Sequence, residues 1–468
     1  MPLPHRVSAS LGNCALGGAY VTSSSNLAYV ADERNGTWGN AAKLAVTGPI
    51  AQAVRTEVDA VSCRTAGNCA AVGIYSTDGA TTEVLAAEER AGNWGPAVPI
   101  PSAVPGTTNI SILNSTNGKA ALSCASPGNC AVGGTADDTA GNSHPVVADE
   151  RNGTWGAFQP LPGFDAVSLA HLPQIVSISC PSQSPGNCAA AGFYQDASGA
   201  SHAFVAEEAN GTWGSARQVN PASSGAALAI SCPATGDCEA GGVYSDVNRN
   251  RQAYVAQEAN GTWASAIELP GTGDLNQGGL AQVTDISCPA AGSCLAIGSY
   301  RLATFIDQPF YAQQRDSAWL PAASLRGISA ISTGVATAFS VSCAAAGDCA
   351  VTGIYRGGTN FQAFAADEST RTSTALTVSQ ANVTFGAEQS ARLSVAVKPA
   401  TTGTPAGKVA IRAGPTTLCS ITLAAANGGC TLAPGKLHPG TYQLTATYPG
   451  STDYAPATSP AKKLTITK

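Results

Sequence analysis

Charge is scarce in this sequence. Asp, Glu, Lys and Arg make up 12% of its 468 residues, and the net charge is −6. No basic stripe is present, which argues against nucleic acid as a partner. Methionine occurs once, and no run of 18 apolar residues exists. No membrane-spanning helix and no membrane insertion are therefore expected. The first 15 residues show no charged head followed by an apolar run, so no secretory leader is visible. Either one was removed or the chain is a piece of a longer protein. Common catalytic signatures are missing as well. There is no P-loop, no dinucleotide fingerprint, no H-E-x-x-H, no G-x-S-x-G elbow and no EF-hand loop. No cofactor and no metal is expected. At 44% hydrophobic residues, the chain is too apolar for a disordered one.

Cysteine, in contrast, is plentiful and regularly spaced. Fifteen are present. Twelve form the close pairs Cys63/Cys69, Cys124/Cys130, Cys180/Cys188, Cys232/Cys238, Cys288/Cys294 and Cys343/Cys349. Cys419/Cys430 makes a seventh pair, and Cys14 is left over. Zinc needs four ligands at short spacing, which five scattered histidines beside isolated pairs do not supply. The pairs read as disulfides, hence an oxidising compartment. Each short loop contributes on the order of 2 kcal/mol by the chain-entropy model.

The cysteines mark an internal repeat. The second cysteine of each unit falls at 14, 69, 130, 188, 238, 294 and 349, and the six tryptophans at 38, 94, 155, 213, 263 and 319 keep step. Unit four, residues 176–219, splits into four segments. V-S-I-S-C alternates with period two, as a strand does. It is followed by C-A-A-A-G-F-Y, A-F-V-A-E-E and T-W-G-S-A-R-Q-V. Asn-Gly precedes the tryptophan segment in four units, and that dipeptide suits a type I′ hairpin turn. No segment shows helical apolar spacing. Four antiparallel strands repeated seven times predict an all-β fold, a seven-bladed β-propeller over residues 1–371.

Topology then sorts the loops. The cysteine turn and the Asn-Gly turn fall on one face, and both are nearly constant. The loops between second and third strands fall on the other face and vary from unit to unit. Recognition is expected on the variable face or at the mouth of the central channel. His144 and His202 occupy equivalent places in these loops. His171 lies in the crossover joining units three and four, and Asp137, Asp138, Asp165 and Asp196 are in the same region. Imidazoles beside carboxylates suit acid–base chemistry or metal binding; the alternative is ordinary solvated loop. A tyrosine ends the second strand in most units: Tyr20, Tyr75, Tyr194, Tyr244, Tyr300 and Tyr355, with Thr135 expected in its place in unit three. These rings suit stacking on sugars or, alternatively, packing between units. The tryptophans are expected to pack.

The S-C-x5-C-x-A-x-G-x-Y … N-G-T-W pattern over about residues 6–370 resembles secreted β-propeller repeat proteins of actinobacteria and related soil bacteria. The turn before the tryptophan is similar to a shortened Asp-box of sialidase-type propellers, but it lacks the central Asp. No sialidase chemistry is implied.

Past Glu368 the rhythm stops. Residues 373–468 read as about seven short alternating strands, an immunoglobulin-like β-sandwich, which places a second domain at 372–468. The stretch TYQLTATYPGSTDYAPATSPAKKLTITK resembles the end of a bacterial Ig-like repeat domain, a family of spacer and adhesion modules. Cys419 and Cys430 are expected to close a hairpin, with Asn427-Gly428-Gly429 as its turn. Thr374–Val378 fits either the missing fourth strand of unit seven or the first strand of this domain.

The expected function is a secreted or cell-surface binding or adhesion protein. Its partner is a glycan or another protein, and homo-assembly is compatible with the pattern. The alternatives are a carbohydrate-active hydrolase or lyase on the variable face, and a structural component of an extracellular assembly.

Overall fold

The computed structural model describes residues 5–10 as backbone, and 13–23, 25–113, 120–164, 173–219, 224–367, 372–399, 404–451, 454 and 456–468. It forms two compact bodies. One comprises residues 1–344 and 351–364; the other comprises 365–468 with 345–350. Both are all-β apart from short helical turns, of which Thr272–Leu275 and Ile328–Ile331 are α-helical.

In the first body units one to six each fold as an antiparallel meander. Unit four runs Gln174–Ser179, Ala189–Gln195 and Ser201–Ala209, each strand pairing with the next. The expected fourth strand is broken. Thr212–Trp213 pairs with Glu208 and Ala209, and Arg217–Gln218 pairs with Phe204 and Val205 one residue out of register. That offset is a bulge, and the Gly214 N–H bonds to the Glu207 carbonyl across it (2.8 Å). Unit seven has three strands, Ala336–Ala345, Asp348–Gly357 and Asn360–Asp367.

Successive meanders pack face to face. Ala191, Ala203 and Val205 of unit four meet Ala227, Ile230 and Tyr254 of unit five in one buried cluster. Burying a side chain such as Ile230 contributes roughly 1.5–3 kcal/mol. The small residues of the second strand set the approach: a Cβ on Gly241 would stand 2.7 Å from Ile286 of the next unit. A second link repeats at the first strands. The Ser62 hydroxyl accepts the Cys124 N–H (3.2 Å), Ser123 accepts Cys180 (3.0 Å), Ser179 accepts Cys232 (2.9 Å), Ser231 accepts Cys288 (3.0 Å) and Ser287 accepts Cys343 (3.0 Å). A cavity of about 90 Å³ is lined by first-strand or adjoining residues of four units, including Leu122, Ile178, Leu228 and Asp285.

The disulfides Cys63–Cys69, Cys124–Cys130, Cys180–Cys188, Cys232–Cys238 and Cys288–Cys294 are formed, and Cys343 and Cys349 are also disulfide-bonded. In unit one Ser8 stands opposite Cys14 in the ladder, where the other units have a cysteine, and Cys14 is buried.

The second body is a two-sheet sandwich. Thr372–Val378, Arg392–Pro399 and Asn427–Thr431 form one sheet. Asn382–Thr384, Lys462–Thr467, Gly440–Tyr448, Lys408–Ala413 and Thr416–Thr422 form the other, in that order. Leu393, Val395 and Val397 alternate inward against Ile411, Leu444 and Tyr448. Thr374–Val378 therefore belongs to this sandwich. The Cys419–Cys430 disulfide joins the two sheets instead of closing a paired hairpin. The turn lies at Ala425-Ala426, both at positive φ (48° and 66°), and Asn427–Thr431 is strand.

Candidate functional site

The two ends of the meanders differ in construction. At the constant end the two turns of units two to six are bonded to each other. The Gly92 N–H donates to the Gly67 carbonyl (2.8 Å), Gly153 to Gly128 (2.8 Å), Gly211 to Gly186 (2.7 Å) and Gly261 to Gly236 (2.8 Å). The residue before the second cysteine adds a side-chain bond: Asn187 Oδ1 accepts the Asn210 N–H (3.2 Å), and Asp237 Oδ1 accepts that of Asn260 (3.3 Å). Units two and six keep the turn without Asn-Gly. Ala91-Gly92 and Asp316-Ser317 take positive φ at both positions.

This end also holds buried carboxylates. Glu89, Glu150, Glu208 and Glu258 sit on third strands at 2–4% exposure. Arg151 Nη2 reaches from unit three to Glu208 Oε1 (2.9 Å) and to the Gly211 carbonyl (2.8 Å). Burial, then the charge of Asp149, raises Glu208 to about 7; burial, then Asp32, raises Glu89 to about 7. The tryptophans bridge units as well: Trp94 Nε1 donates to Asp32 (3.0 Å), and Trp213 Nε1 donates to Asp149 (3.3 Å). A cavity of about 280 Å³ between units three and four is lined by Asp149, Glu150, Arg151 and Glu208 among others. Sequence reasoning passed over these groups, although the repeated A-E-E and a following Arg were the available signal.

At the variable end the loops share one frame. Asp196 Oδ1 accepts the N–H groups of Ser198 (2.8 Å) and Ala200 (3.1 Å), and its Oδ2 meets His202 Nε2 (2.8 Å). Asp138 takes the N–H groups of Ala140 (2.8 Å) and Asn142 (2.9 Å), with His144 Nε2 at 3.1 Å. In unit five Asp246 takes those of Asn248 and Asn250 (both 2.8 Å), with Gln252 Nε2 in the histidine's place (3.1 Å). These bonds hold all three carboxyls below the ordinary range. Asp78, bonded to the N–H groups of Thr81 and Ala80, falls to about 2.

His144 and His202 thus stand at the start of third strands, not in the loops, and each pairs with the aspartate of its own turn. His202 Nδ1 meets Gln218 Nε2 (3.2 Å), and its ring stacks on Tyr194 at 5.1 Å. Asp137 accepts the Ser143 hydroxyl (2.6 Å). His171 and Asp165 lie outside the described residues. Among the described residues no three of His, Cys, Asp and Glu gather in a metal-ligating group.

The tyrosines divide. Tyr75 and Tyr300 are buried, Tyr300 with its hydroxyl on Ser324 (2.7 Å). Tyr244 donates to Glu268 (2.8 Å) and Tyr355 to Gln362 (2.5 Å), both half-buried. Ala136, not Thr135, takes the tyrosine's place in unit three, since it faces His144 as Tyr194 faces His202.

Residues 376–467 match the family described as bacterial Ig-like domain (group 3). No curated protein matches the chain. Among solved structures, similarity extends to a Hadza microbial sialidase (12% identity, TM-score 0.38, covering 69% of this chain and 66% of that one). It extends also to the β-propeller domain of the Trilobed protease from Pyrococcus furiosus (7%, 0.42, 77% and 95%). A third is a polysaccharide lyase, ulvan lyase, bound to an oligosaccharide (10%, 0.44, 78% and 92%). No helix among the described residues is long and apolar enough to cross a membrane.

Proposed function

We propose that the seven units close as the blades of a β-propeller over residues 1–371, that an Ig-like module follows at 372–468, and that the protein binds a glycan or protein ligand through the variable end. Secretion or display at the cell surface fits the disulfides, which persist in oxidising compartments. The convergence of first strands from four units on one narrow cavity supports radial packing.

One observation carries the binding reading. The constant end is tied by repeated turn-to-turn bonds, whereas the variable end repeats only a turn frame and changes the side chains projecting from it. Asp78, Asp138, Asp196 and Asp246 are occupied as acceptors of turn N–H groups. Glu89 and Glu208, raised toward neutral pH, are at the constant end, between units, whereas Asp59, raised to about 7 chiefly by burial, lies mid-ladder with its N–H on the Val72 carbonyl. In this reading the Ig-like module spaces the propeller from an anchoring partner.

The Asp196–His202 pair favours a second reading, a hydrolase or lyase. A glycan-array screen of the intact oxidised protein separates the two. Retention of a glycan without turnover is the expected result. Turnover of a polysaccharide panel would favour the enzyme, and failure to bind any glycan would remove the glycan reading.

A further inference from the structure

Units three to six repeat the same turn between second and third strands. Gly141, Gly199, Arg249 and Phe305 donate their N–H to the carbonyls of Asp138, Asp196, Asp246 and Leu302 (3.0, 2.8, 2.9 and 2.9 Å). All four have positive φ: 83°, 82°, 66° and 60°. Glycine adopts this conformation without cost. A phenylalanine held there costs on the order of 1 kcal/mol. The Phe305 ring recovers little of that by packing, because the residue is 75% exposed. An exposed aromatic ring kept at the tip of a turn, where units three and four use glycine and unit five an arginine, has a use outside the fold.

Its neighbours give the ligand's chemistry. The loops 76–83, 137–144 and 195–202 carry acids and no Lys or Arg, whereas 245–252, 301–308 and 356–362 carry Arg249, Arg251, Arg301 and Arg356. These three loops are linked through the crossovers between them. Arg251 N–H donates to the Gly279 carbonyl (3.0 Å), and Gly278 N–H donates to the Arg301 carbonyl (2.8 Å). Gln308 Nε2 donates to the Gly334 carbonyl (2.9 Å), and Gly334 lies against the stem of Arg356. Arg301 is committed to Asp307 (2.7 Å). Arg249, Arg251 and Arg356 are exposed, and none forms an ion pair among the described residues. Of the acids in this sector, Asp246 is held by its turn and Gln252, Glu268 accepts the Tyr244 hydroxyl, and Asp274 is exposed on a crossover.

We propose that Phe305, with Arg249 and Arg251 on the preceding variable loop and Arg356 on the following one, is the stacking platform for an anionic polysaccharide bearing carboxylate or sulfate groups. The ring offers a flat apolar face to a sugar, and the guanidinium groups offer paired donors to the anion. The inference rests on the glycan reading above and narrows it.

Affinity electrophoresis of the intact oxidised protein tests it, with polygalacturonate, a sulfated carrageenan, a neutral galactomannan or single-stranded DNA in the gel. Retardation by polygalacturonate or carrageenan, and not by galactomannan, is expected; the two anionic gels distinguish carboxylate from sulfate. Phe305→Gly should weaken that retardation at least fivefold while the unfolding temperature holds or rises. The double variant Arg251→Ala/Arg356→Ala should weaken it and flatten its salt dependence. Anionic retardation unchanged by Phe305→Gly would overturn the inference, as would binding of DNA alone. Galactomannan binding insensitive to Phe305→Gly would overturn it and leave the glycan reading standing. Retardation by no polysaccharide would overturn both.

Discussion

The Ser179 hydroxyl accepts the backbone N–H of Cys232, 2.9 Å away in the next unit. The same bond recurs at four other junctions, so the Ser-Cys dipeptide of the repeat serves two purposes. The cysteine closes its own unit, and the serine holds the next one. Removing one hydroxyl leaves a largely buried N–H without its acceptor. Ser231→Ala should destabilise the first body by about 1 kcal/mol, read as a shift in the chemical denaturation midpoint, with the disulfides intact.

The constant end gives a sharper steric prediction. Gly186 has φ +75°, and a Cβ there would lie 2.9 Å from the Gly211 nitrogen that donates to its carbonyl. Gly186→Ala combines backbone strain with a clash against main chain. A loss of roughly 1–3 kcal/mol is expected in thermal unfolding. The same substitution at Gly141, where nothing lies within 4 Å, should cost only the strain.

Stability should depend on pH with a definite sign. Glu89 and Glu208 titrate near 7 when folded and near 4.5 when unfolded. Between those values the unfolded chain binds fewer protons, so stability falls as pH rises from about 4.5 and levels off above about 7. Glu208→Gln should flatten that slope in denaturant titrations between pH 5 and 8. The variable-end aspartates act oppositely. Asp78 is held at about 2, so its contribution is present above about pH 4 and lost in stronger acid.

His202 can be tested by copying a sibling. Gln252 makes toward Asp246 the bond that His202 makes toward Asp196. His202→Gln should therefore keep stability within about 0.5 kcal/mol of the parent, as expected away from disruptive sites, and leave ligand binding intact. Loss of a measurable turnover in this variant would instead mark the imidazole as catalytic.

Much of this was legible in the sequence because repetition exposes period-two alternation and turn chemistry several times over. The paired cysteines, the Asn-Gly turns and the separation of constant from variable loops all follow from local rules. What escaped lies between units. Ser179, Asn187 and Glu208 find their partners through packing of one meander on the next or of one turn on another, which no single window contains. The Ala425-Ala426 turn escaped because alanine gives no signal for positive φ. The sequence alone leaves the histidines in loops because polar residues near a turn look alike; strand pairing sets His202 opposite Tyr194, and its ring meets Asp196.

Hydrogen–deuterium exchange of the intact protein, with and without the polysaccharide that retards it, tests the variable end as the recognition surface most directly. The account predicts slowed exchange in 245–252, 301–308 and 356–362, with the turns at 66–68, 91–93, 186–187 and 210–211 unchanged. Slowing confined to those turns, or none at the variable loops, would contradict it.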